Sequence, residues 1–274
     1  MIKLIVSLLF LVSCSNNISS AQDIPTPSPI VAPISQELAL APLIDFHNGG
    51  QAVGAAQPIT VHNPDGTDTI VKGSLLNGNL LPKSGEGFAR ISSPGTSWGA
   101  GMMVSLLMNS AAEFSQTTAP GNIVRVGDIA MQFGGEYSPH KSHQSGLDAD
   151  VLFMGTKNYS SVLDAAGNVT DRFETQKNWD YWRLLVSQQM IQKGKQVSVV
   201  SMILVDPRIK SFLCDWAQAN GYVNNPLDRE VLRRLRPTAG HDGHFHLRLK
   251  CSPHYPQCIQ QGDLASGTGC PVIL

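Results

Sequence analysis

Two short segments of the sequence concentrate the side chains that bind metals or move protons. The first, HKSHQSGLDAD, spans residues 140–150, and the second, HDGHFHLRLK, spans residues 241–250. Five of the eight histidines of the chain lie in these two segments. Two imidazoles and one carboxylate, with a fourth position left open, form a typical catalytic zinc site. The clustering therefore predicts a metal centre that draws on both segments.

The second segment has the alternation of a β-strand. Side chains two positions apart on a strand share a face, which places His244, His246 and Arg248 together. The apolar residues between them would pack into the core, so the strand would hold two imidazoles over a cleft. Arg248 would either bind a substrate carboxylate or remain a solvated charge at the strand end.

The first segment can bring a second half of the site to the same place. Gly146 interrupts regular structure after His143, and the chain then runs extended through Asp148 and Asp150. We expect His143 to turn back alongside Asp150, and these two residues with one later histidine complete a zinc ligand set. Asp148 would orient ligand imidazoles or stabilise the turn.

The elements that position these segments are mixed. Helical spacing or end signals predict helices over residues 100–116, 179–192, 207–219 and 225–236, and apolar or alternating runs predict strands over 123–131, 150–154, 197–205 and 244–250. Their order has no regular βαβ rhythm. This favours the α+β class: a single catalytic domain around a central antiparallel sheet with flanking helices and the zinc site on the sheet.

The N-terminus has the layout of a bacterial export signal. A short positive region and an apolar run lead to Leu11-Val12-Ser13-Cys14, which resembles the lipobox of bacterial lipoproteins. We expect residues 1–13 to be a signal peptide, 14–55 a lipidated Cys14 with a Ser/Pro-rich tether, and 56–274 the catalytic domain. Ser15 stands where an inner-membrane retention signal would place aspartate, which favours the outer membrane.

Charge and hydropathy exclude two classes of partner. A net charge of −1 gives no basic surface for nucleic acid. No apolar run reaches the roughly 18 residues of a membrane span, so the protein would meet the membrane only through its lipid anchor. The sequence gives no indication of oligomeric state.

Four cysteines remain after Cys14, an even number that favours disulfides in an oxidising compartment. Four cysteines allow three pairings. Cys251 and Cys258 are close enough for a short loop, which leaves Cys214 to pair with Cys270. A four-cysteine zinc site is the alternative, although none of the spacings is the short C-x2-C type.

The two histidine segments also carry a family resemblance. H-x6-D at 143–150 followed by H-x-H at 244–246 resembles the ligand pattern of the lysostaphin, D-Ala-D-Ala metallopeptidase and hedgehog superfamily. SHQSGLDAD with HDGHFHLRLKC is similar to the penicillin-insensitive murein endopeptidases of Gram-negative periplasms. GSLLNGNLLP, RVGDIAMQFGG, VDPRIKSFLC and the cysteine spacing extend the resemblance over roughly residues 70–272.

The resemblance implies a single catalytic zinc ion. It makes His143, Asp150 and His246 the zinc ligands. It makes His244 the general base or the stabiliser of the transition state, and His241 a neighbouring catalytic or orienting residue.

The remaining candidates have supporting roles. In the family, the residue equivalent to His140 contributes to a second, looser metal site together with a downstream D-x-x-H. No histidine occurs between His143 and His241, so this chain lacks that partner. We therefore expect His140, like Asp148, to act around the zinc site.

The function implied is a peptidoglycan endopeptidase that cuts the D-alanyl–meso-diaminopimelyl cross-link with a metal-activated water. Its partners would be cross-linked peptidoglycan peptides, and its location the periplasm of a Gram-negative bacterium, anchored to the outer membrane. Two alternatives remain open: a D,D-carboxypeptidase of the same superfamily, and a non-catalytic, zinc-stabilised cell-wall-binding lipoprotein.

Overall fold

A seven-stranded mixed sheet carries strands from both histidine segments. The structure is a computed structural model that describes residues 49–270, so the expected signal peptide, Cys14 and most of the tether lie outside the described residues. The strands are β1 Gln51–His62, β2 Asp68–Leu76, β3 Asn79–Leu80, β4 Ser84–Gly85, β5 Phe88–Arg90, β6 Trp98–Gly99, β7 Val124–Val126, β8 Asp148–Leu152, β9 Gln189–Gln192, β10 Lys195–Ser198, β11 Val200–Val205, β12 Leu235–Pro237 and β13 His244–Leu249. The order in the large sheet is β12-β11-β13-β8-β7-β5-β4.

Four helices flank this sheet, as an α+β domain requires. They are α1 Gly101–Glu113, α2 Thr175–Ser187, α3 Pro207–Ala219 and α4 Pro226–Arg234. Two parallel pairs, β11 with β12 and β5 with β7, make the sheet mixed, so the expectation of a purely antiparallel sheet is wrong. Parallel neighbours need a crossover connection, which α1 supplies between β5 and β7 and the α3–α4 pair between β11 and β12.

The end signals of α3 and α4 work as the sequence predicts. Asp206 caps α3 by accepting a hydrogen bond from the Arg208 backbone N–H at 2.9 Å, with proline at the first helical position. Asn225 caps α4 in the same way through the Leu227 N–H at 2.8 Å. The expected helix over 207–219 is confirmed.

Two elements differ from expectation between residues 179 and 205. Helix α2 ends at Ser187, and residues 189–192 form β9, which pairs with β10. Lys193 and Gly194 join these strands with φ of 50° and 75°, the conformation of a tight two-residue hairpin turn. The expected single strand over 197–205 is therefore divided between β10 and β11. The apolar spacing of α2 continues into residues 189–192, so it does not distinguish these residues of the β9–β10 hairpin from a last helical turn.

The apolar side of β13 packs on α2 through aromatic rings. Phe245 is fully buried, and its ring centroid lies 5.7 Å from Trp182, 6.4 Å from Tyr181 and 6.1 Å from Phe153. Such rings bury large apolar areas and dominate core energetics. Successive side chains of a strand point to opposite faces, so His244, His246 and Arg248 face the other side of the sheet.

That opposite side is bordered by the long β1–β2 hairpin. The Gly73 backbone N–H donates to Gln144 Oε1 at 2.9 Å, and the Gln144 N–H donates to the Ala56 carbonyl at 3.4 Å. The hairpin thus holds the segment that leads from His140 to Gly146. Between residues 49 and 270, the structure contains no helix with the length and apolar character of a membrane span.

The C-terminal segment is tied to the domain by covalent and polar links. The predicted disulfides Cys214–Cys270 and Cys251–Cys258 are both formed. Close to the first of them, the Lys210 ammonium donates to the carbonyls of Leu232 at 2.7 Å and Thr268 at 2.9 Å. Helix α3 therefore holds residues 268–270 through Lys210 and Cys214.

Candidate metal centre

The pairing of β8 with β13 sets carboxylates against basic side chains. In this antiparallel register Asp150 stands opposite His246, and Asp148 stands opposite Arg248. Directly opposed residues point to the same face of the sheet and have closely spaced Cβ atoms. All four side chains are almost completely buried. The predicted shared face therefore exists and crosses two strands.

A turn with unusual backbone angles brings His143 to this face. His143 has a φ of 64° and Gly146 a φ of 72°, so both adopt the left-handed conformation. That conformation is unfavourable for a residue with a Cβ atom unless its surroundings enforce it. Here the His143 backbone N–H donates to Asp148 Oδ2 at 3.3 Å. The predicted turn at Gly146 is present and aims the His143 ring at the sheet.

Three potential ligand atoms form a small triangle. His143 Nε2 lies 3.1 Å from His246 Nδ1, and each of these nitrogens lies 3.3 Å from Asp150 Oδ1. A tetrahedral zinc ion with bonds of about 2.0–2.1 Å separates its ligand atoms by about 3.3–3.4 Å. The triangle has the dimensions of one face of such a tetrahedron.

The partners of both rings direct the lone pairs into this triangle. His143 Nδ1 donates to the Ile129 carbonyl at 2.8 Å, which leaves Nε2 as the unprotonated nitrogen. His246 Nε2 donates to Asp148 Oδ1 at 2.7 Å, which leaves Nδ1 unprotonated. Metal-binding histidines commonly use their second nitrogen in this way. The donor set therefore fits a zinc ion.

His140 forms an overlapping group with two of the same residues. Ligand atoms of His140, His143 and Asp150 all lie within 4.8 Å of one another, so this trio could also bind a metal. His140 Nε2 is 3.1 Å from Asp128 Oδ2, and the side chain is partly exposed. His140 thus stands at the outer edge of the cluster, next to the set that includes His246.

Asp148 connects the cluster to a buried arginine. Burial acts to raise the pKa of Asp148, but the Arg248 guanidinium and His246 outweigh it and lower the pKa well below its usual range. Arg248 Nε donates to Asp148 Oδ1 at 2.6 Å, and its Nη1 donates to Gln57 at 3.2 Å and Gln261 at 3.1 Å. Arg248 is therefore neither a solvated strand-end charge nor a residue available to substrate.

His244 and His241 stand beside the triangle and are partly exposed. His244 Nε2 is 3.5 Å from Asp150 Oδ1, and its ring centroid is 5.2 Å from that of His241. His241 Nδ1 faces the carbonyls of Thr238 and Ala239 at 3.2 and 3.1 Å. Burial and the neighbouring His244 and His246 lower the pKa of His241, which favours the neutral ring.

Three further residues lie near the cluster and are not among the site residues predicted from the sequence. Asp128 accepts from Thr96 at 2.6 Å and contacts His140 through its other oxygen. Tyr159 lies in a long loop, with its ring 5.1 Å from that of His244 and its hydroxyl over Gly127, where a Cβ atom would collide with it.

The third is Tyr137, whose ring lies 4.9 Å from His140. Within residues 49–270 its buried hydroxyl has no hydrogen-bond partner, and burial, reinforced by Asp128 and Asp150, raises its pKa. Asp128 and Tyr159 depend on contacts between distant segments, whereas Tyr137 lies three residues from the His140 ring that it contacts. Only Asp128, directly after a short strand and a glycine, stands in a position typical of site residues.

Comparison with known proteins shows the family to which this chain belongs. The family model described as penicillin-insensitive murein endopeptidase matches residues 67–274, about three quarters of the chain. The chain belongs to the penicillin-insensitive murein endopeptidase family. The match agrees with the resemblance over residues 70–272 and includes every candidate ligand and all four cysteines of the disulfides.

Individual members of the murein endopeptidase family are similar at a moderate level. A penicillin-insensitive murein endopeptidase of Haemophilus influenzae is 32% identical over 208 residues, which are 74% of this chain and 69% of that protein. One from Pectobacterium atrosepticum is 33% identical over 61% of this chain and 58% of its own length. One from Yersinia enterocolitica is 33% identical over 54% of this chain and 52% of its own length. The chain thus spans between half and seven tenths of these relatives, all named as murein endopeptidases.

Proposed function

We propose that the protein is a zinc-dependent murein endopeptidase that hydrolyses the D-alanyl–meso-diaminopimelyl cross-link of peptidoglycan. The observation that carries the proposal is the triangle of His143 Nε2, His246 Nδ1 and Asp150 Oδ1, with edges of 3.1–3.3 Å. Three protein ligands leave a fourth position for water or substrate, which distinguishes catalytic from structural zinc sites. Membership of the murein endopeptidase family supports the choice of substrate.

The chemistry then divides between the metal and two histidines. His143, Asp150 and His246 would hold a zinc ion, which would supply a water with a pKa of about 7 and polarisation of a carbonyl group. His244, at 3.5 Å from the ligand oxygen of Asp150, transfers the proton or stabilises the developing charge. His241, held by two backbone carbonyls, orients His244 and offers Nε2 as a second proton acceptor. His140 and Asp148 contact the ligand residues and are not assigned to a second metal site. The proposal therefore has one catalytic zinc ion.

Purified cross-linked muropeptide dimers test the activity directly. We expect zinc-loaded protein to convert dimers into monomers, and chelator-treated protein to leave them intact until zinc is restored. Loss of terminal D-alanine from monomers, without cleavage of dimers, would instead identify a D,D-carboxypeptidase. No metal-dependent change in either peptide would favour a wall-binding lipoprotein without catalysis.

His244→Ala tests the role of that residue. We expect the variant to keep zinc and to lose about 10²- to 10⁴-fold in turnover, because a general acid–base group contributes that much. His62→Ala is the matched control, since His62 is an exposed histidine that pairs with Asp68 in the β1–β2 hairpin. Zinc content and dimer cleavage are measured on all three proteins. Full activity of zinc-loaded His244→Ala would refute the assignment.

The proposed location follows from the substrate and the N-terminal sequence. Peptidoglycan lies in the periplasm, and the named relatives come from Gram-negative bacteria. A lipid on Cys14 and a Pro-rich tether that ends before strand β1 at Gln51 would hold the catalytic domain near the outer membrane while letting it reach the wall.

A further inference from the structure

A cleft lies directly beside the candidate metal centre. It has a volume of about 500 Å³. Its lining includes Gln57 and Pro58 of β1 together with Tyr137, Lys141 and Gln144. The volume is sufficient for one or two amino-acid residues of a peptide, since ligand pockets typically enclose 300–1,000 Å³.

His140 connects this cleft to the metal cluster. The residue lines the cleft, and its ligand atom lies within 4.8 Å of those of His143 and Asp150. Lys141 follows His140 in the chain, so their Cα atoms are about 3.8 Å apart. A peptide in the cleft would therefore have its reacting bond at the metal end and Lys141 alongside.

Among the charged side chains that line the cleft, the Lys141 ammonium is the one left to bind a ligand in the part of the chain that the structure describes. Glu136 also lines the cleft, but its carboxylate is bound by Lys72 at 2.9 Å. His140 is engaged by Asp128 at 3.1 Å. Across residues 49–270, the exposed ammonium of Lys141 forms neither a hydrogen bond nor an ion pair. The cleft is thus suited to a ligand that carries a negative charge.

The proposed substrate has such a charge near the bond that is cut. The amine side of a D-alanyl–meso-diaminopimelyl bond is a diaminopimelate residue, and a carboxylate is attached to the carbon that bears the reacting nitrogen. We infer that the cleft binds this amine-side residue and that the Lys141 ammonium pairs with its carboxylate, which makes Lys141 a specificity-determining residue. The inference rests on the proposed murein endopeptidase function.

Two versions of the dimer and two lysine variants test the inference. The dimers carry either the free carboxylate or a carboxamide at that position. We expect Lys141→Gln to raise KM for the carboxylate dimer about tenfold with kcat within about twofold, because the lost bond is a charge-assisted hydrogen bond. On the carboxamide dimer, wild type and Lys141→Gln should have the same KM. Lys157→Gln is the control, since Lys157 is also an exposed lysine and lies two residues from Tyr159.

The outcomes separate this inference from the proposed function. If Lys141→Gln retains the wild-type preference for the carboxylate dimer, or if Lys157→Gln loses it, the inference is overturned while the endopeptidase activity stands. Calorimetric binding of both dimers to chelator-treated protein gives a readout that does not need catalysis. A Lys141-dependent preference in binding, without cleavage by the zinc-loaded enzyme, would support the cleft assignment and refute the proposed activity.

Discussion

At the scale of single residues, Arg248 holds the proposed ligand His246 in place through Asp148. Its guanidinium compensates the buried Asp148 carboxylate, which accepts the Nε2–H of His246. A bond made to the far side of a ligand imidazole fixes its orientation and its protonated nitrogen. The chain Arg248–Asp148–His246 therefore extends the metal centre into the interior.

Arg248→Gln should weaken zinc binding about 10- to 100-fold, the usual cost of losing such a supporting contact. Competition with a chromophoric chelator measures the affinity directly. Arg229→Gln serves as the control because Arg229 is an exposed arginine on α4, remote from this chain of contacts in sequence. Denaturant unfolding of the metal-free proteins checks that Arg248→Gln still folds.

Arg248→Lys separates charge from geometry in case the glutamine variant unfolds. The lysine keeps the positive charge but cannot reproduce the three directed hydrogen bonds of the guanidinium. We expect it to fold and to bind zinc more weakly than wild type. Unchanged zinc affinity in both variants would contradict the role given to Arg248.

At the scale of elements, helix α3 and its buried lysine illustrate how the C-terminal segment is held. Lys210 is 3% exposed, and burial together with repulsion from Arg236 lowers its pKa to about 7. Between pH 7 and about 10.5 the unfolded chain binds a proton at this site and the folded protein does not. Folding stability must therefore rise with pH across that window, and below it this site adds no pH dependence because both states bind the proton.

We predict that Lys210→Met abolishes this dependence. Relative to the variant, the wild-type free energy of unfolding should increase by about 2 kcal/mol between pH 7 and pH 9. Urea denaturation at a series of pH values measures the free energy of unfolding of both proteins. In the difference between them, the contributions of the other titrating groups cancel. Lys195→Met, at an exposed position on β10, should follow the wild-type profile. Parallel profiles for wild type and Lys210→Met would disprove the shift.

Elements with strong local signals could be predicted, and those set by distant contacts could not. Helix α3 follows from Asp206-Pro207, and β13 from its alternation of imidazole and apolar residues. The parallel pairs could not be foreseen, because β5, β7 and β12 have only three residues each and too little periodicity to define a partner. The sequence predicts helix where β9 lies because the apolar spacing of β9 continues that of α2.

The site divides in the same way. Residue type and spacing single out His143 and Asp150 together with one histidine of the later strand, and the family resemblance selects His246 as that histidine. Asp128 and Tyr159 reach the cluster only through loops whose course depends on the whole fold. Arg248 could be placed on the correct face, but its burial depends on Gln57 and Gln261, which approach from segments distant in sequence.

At the scale of the whole molecule, the proposed anchor determines where the chemistry occurs. Under the proposed function, Cys14 would fix the chain to a membrane, and the Pro-rich residues that follow it would link this anchor to the catalytic domain. A wall hydrolase attached in this way acts only on the peptidoglycan within reach of its tether.

Fractionation of the full-length protein tests the anchor. We expect wild type to incorporate labelled palmitate and to sediment with outer membranes, and Cys14→Ser to lose the label. Ser15→Asp should keep the label and move to the inner membrane, because it restores the retention signal. Equal membrane association of wild type and unlabelled Cys14→Ser would exclude lipidation at Cys14 as the anchor.

The alternation along β13 has a further consequence for how the protein tolerates change. If β13 slipped by one residue against β8, His246 would face the aromatic rings of α2 and Phe245 would face the metal. The fit of Phe245 against Trp182 and Tyr181 therefore also sets the position of His246 in the candidate metal centre. Substitutions in this aromatic core could leave the protein folded and still reduce its activity. Small shifts of β13 would displace His246 before they lowered the stability of the fold.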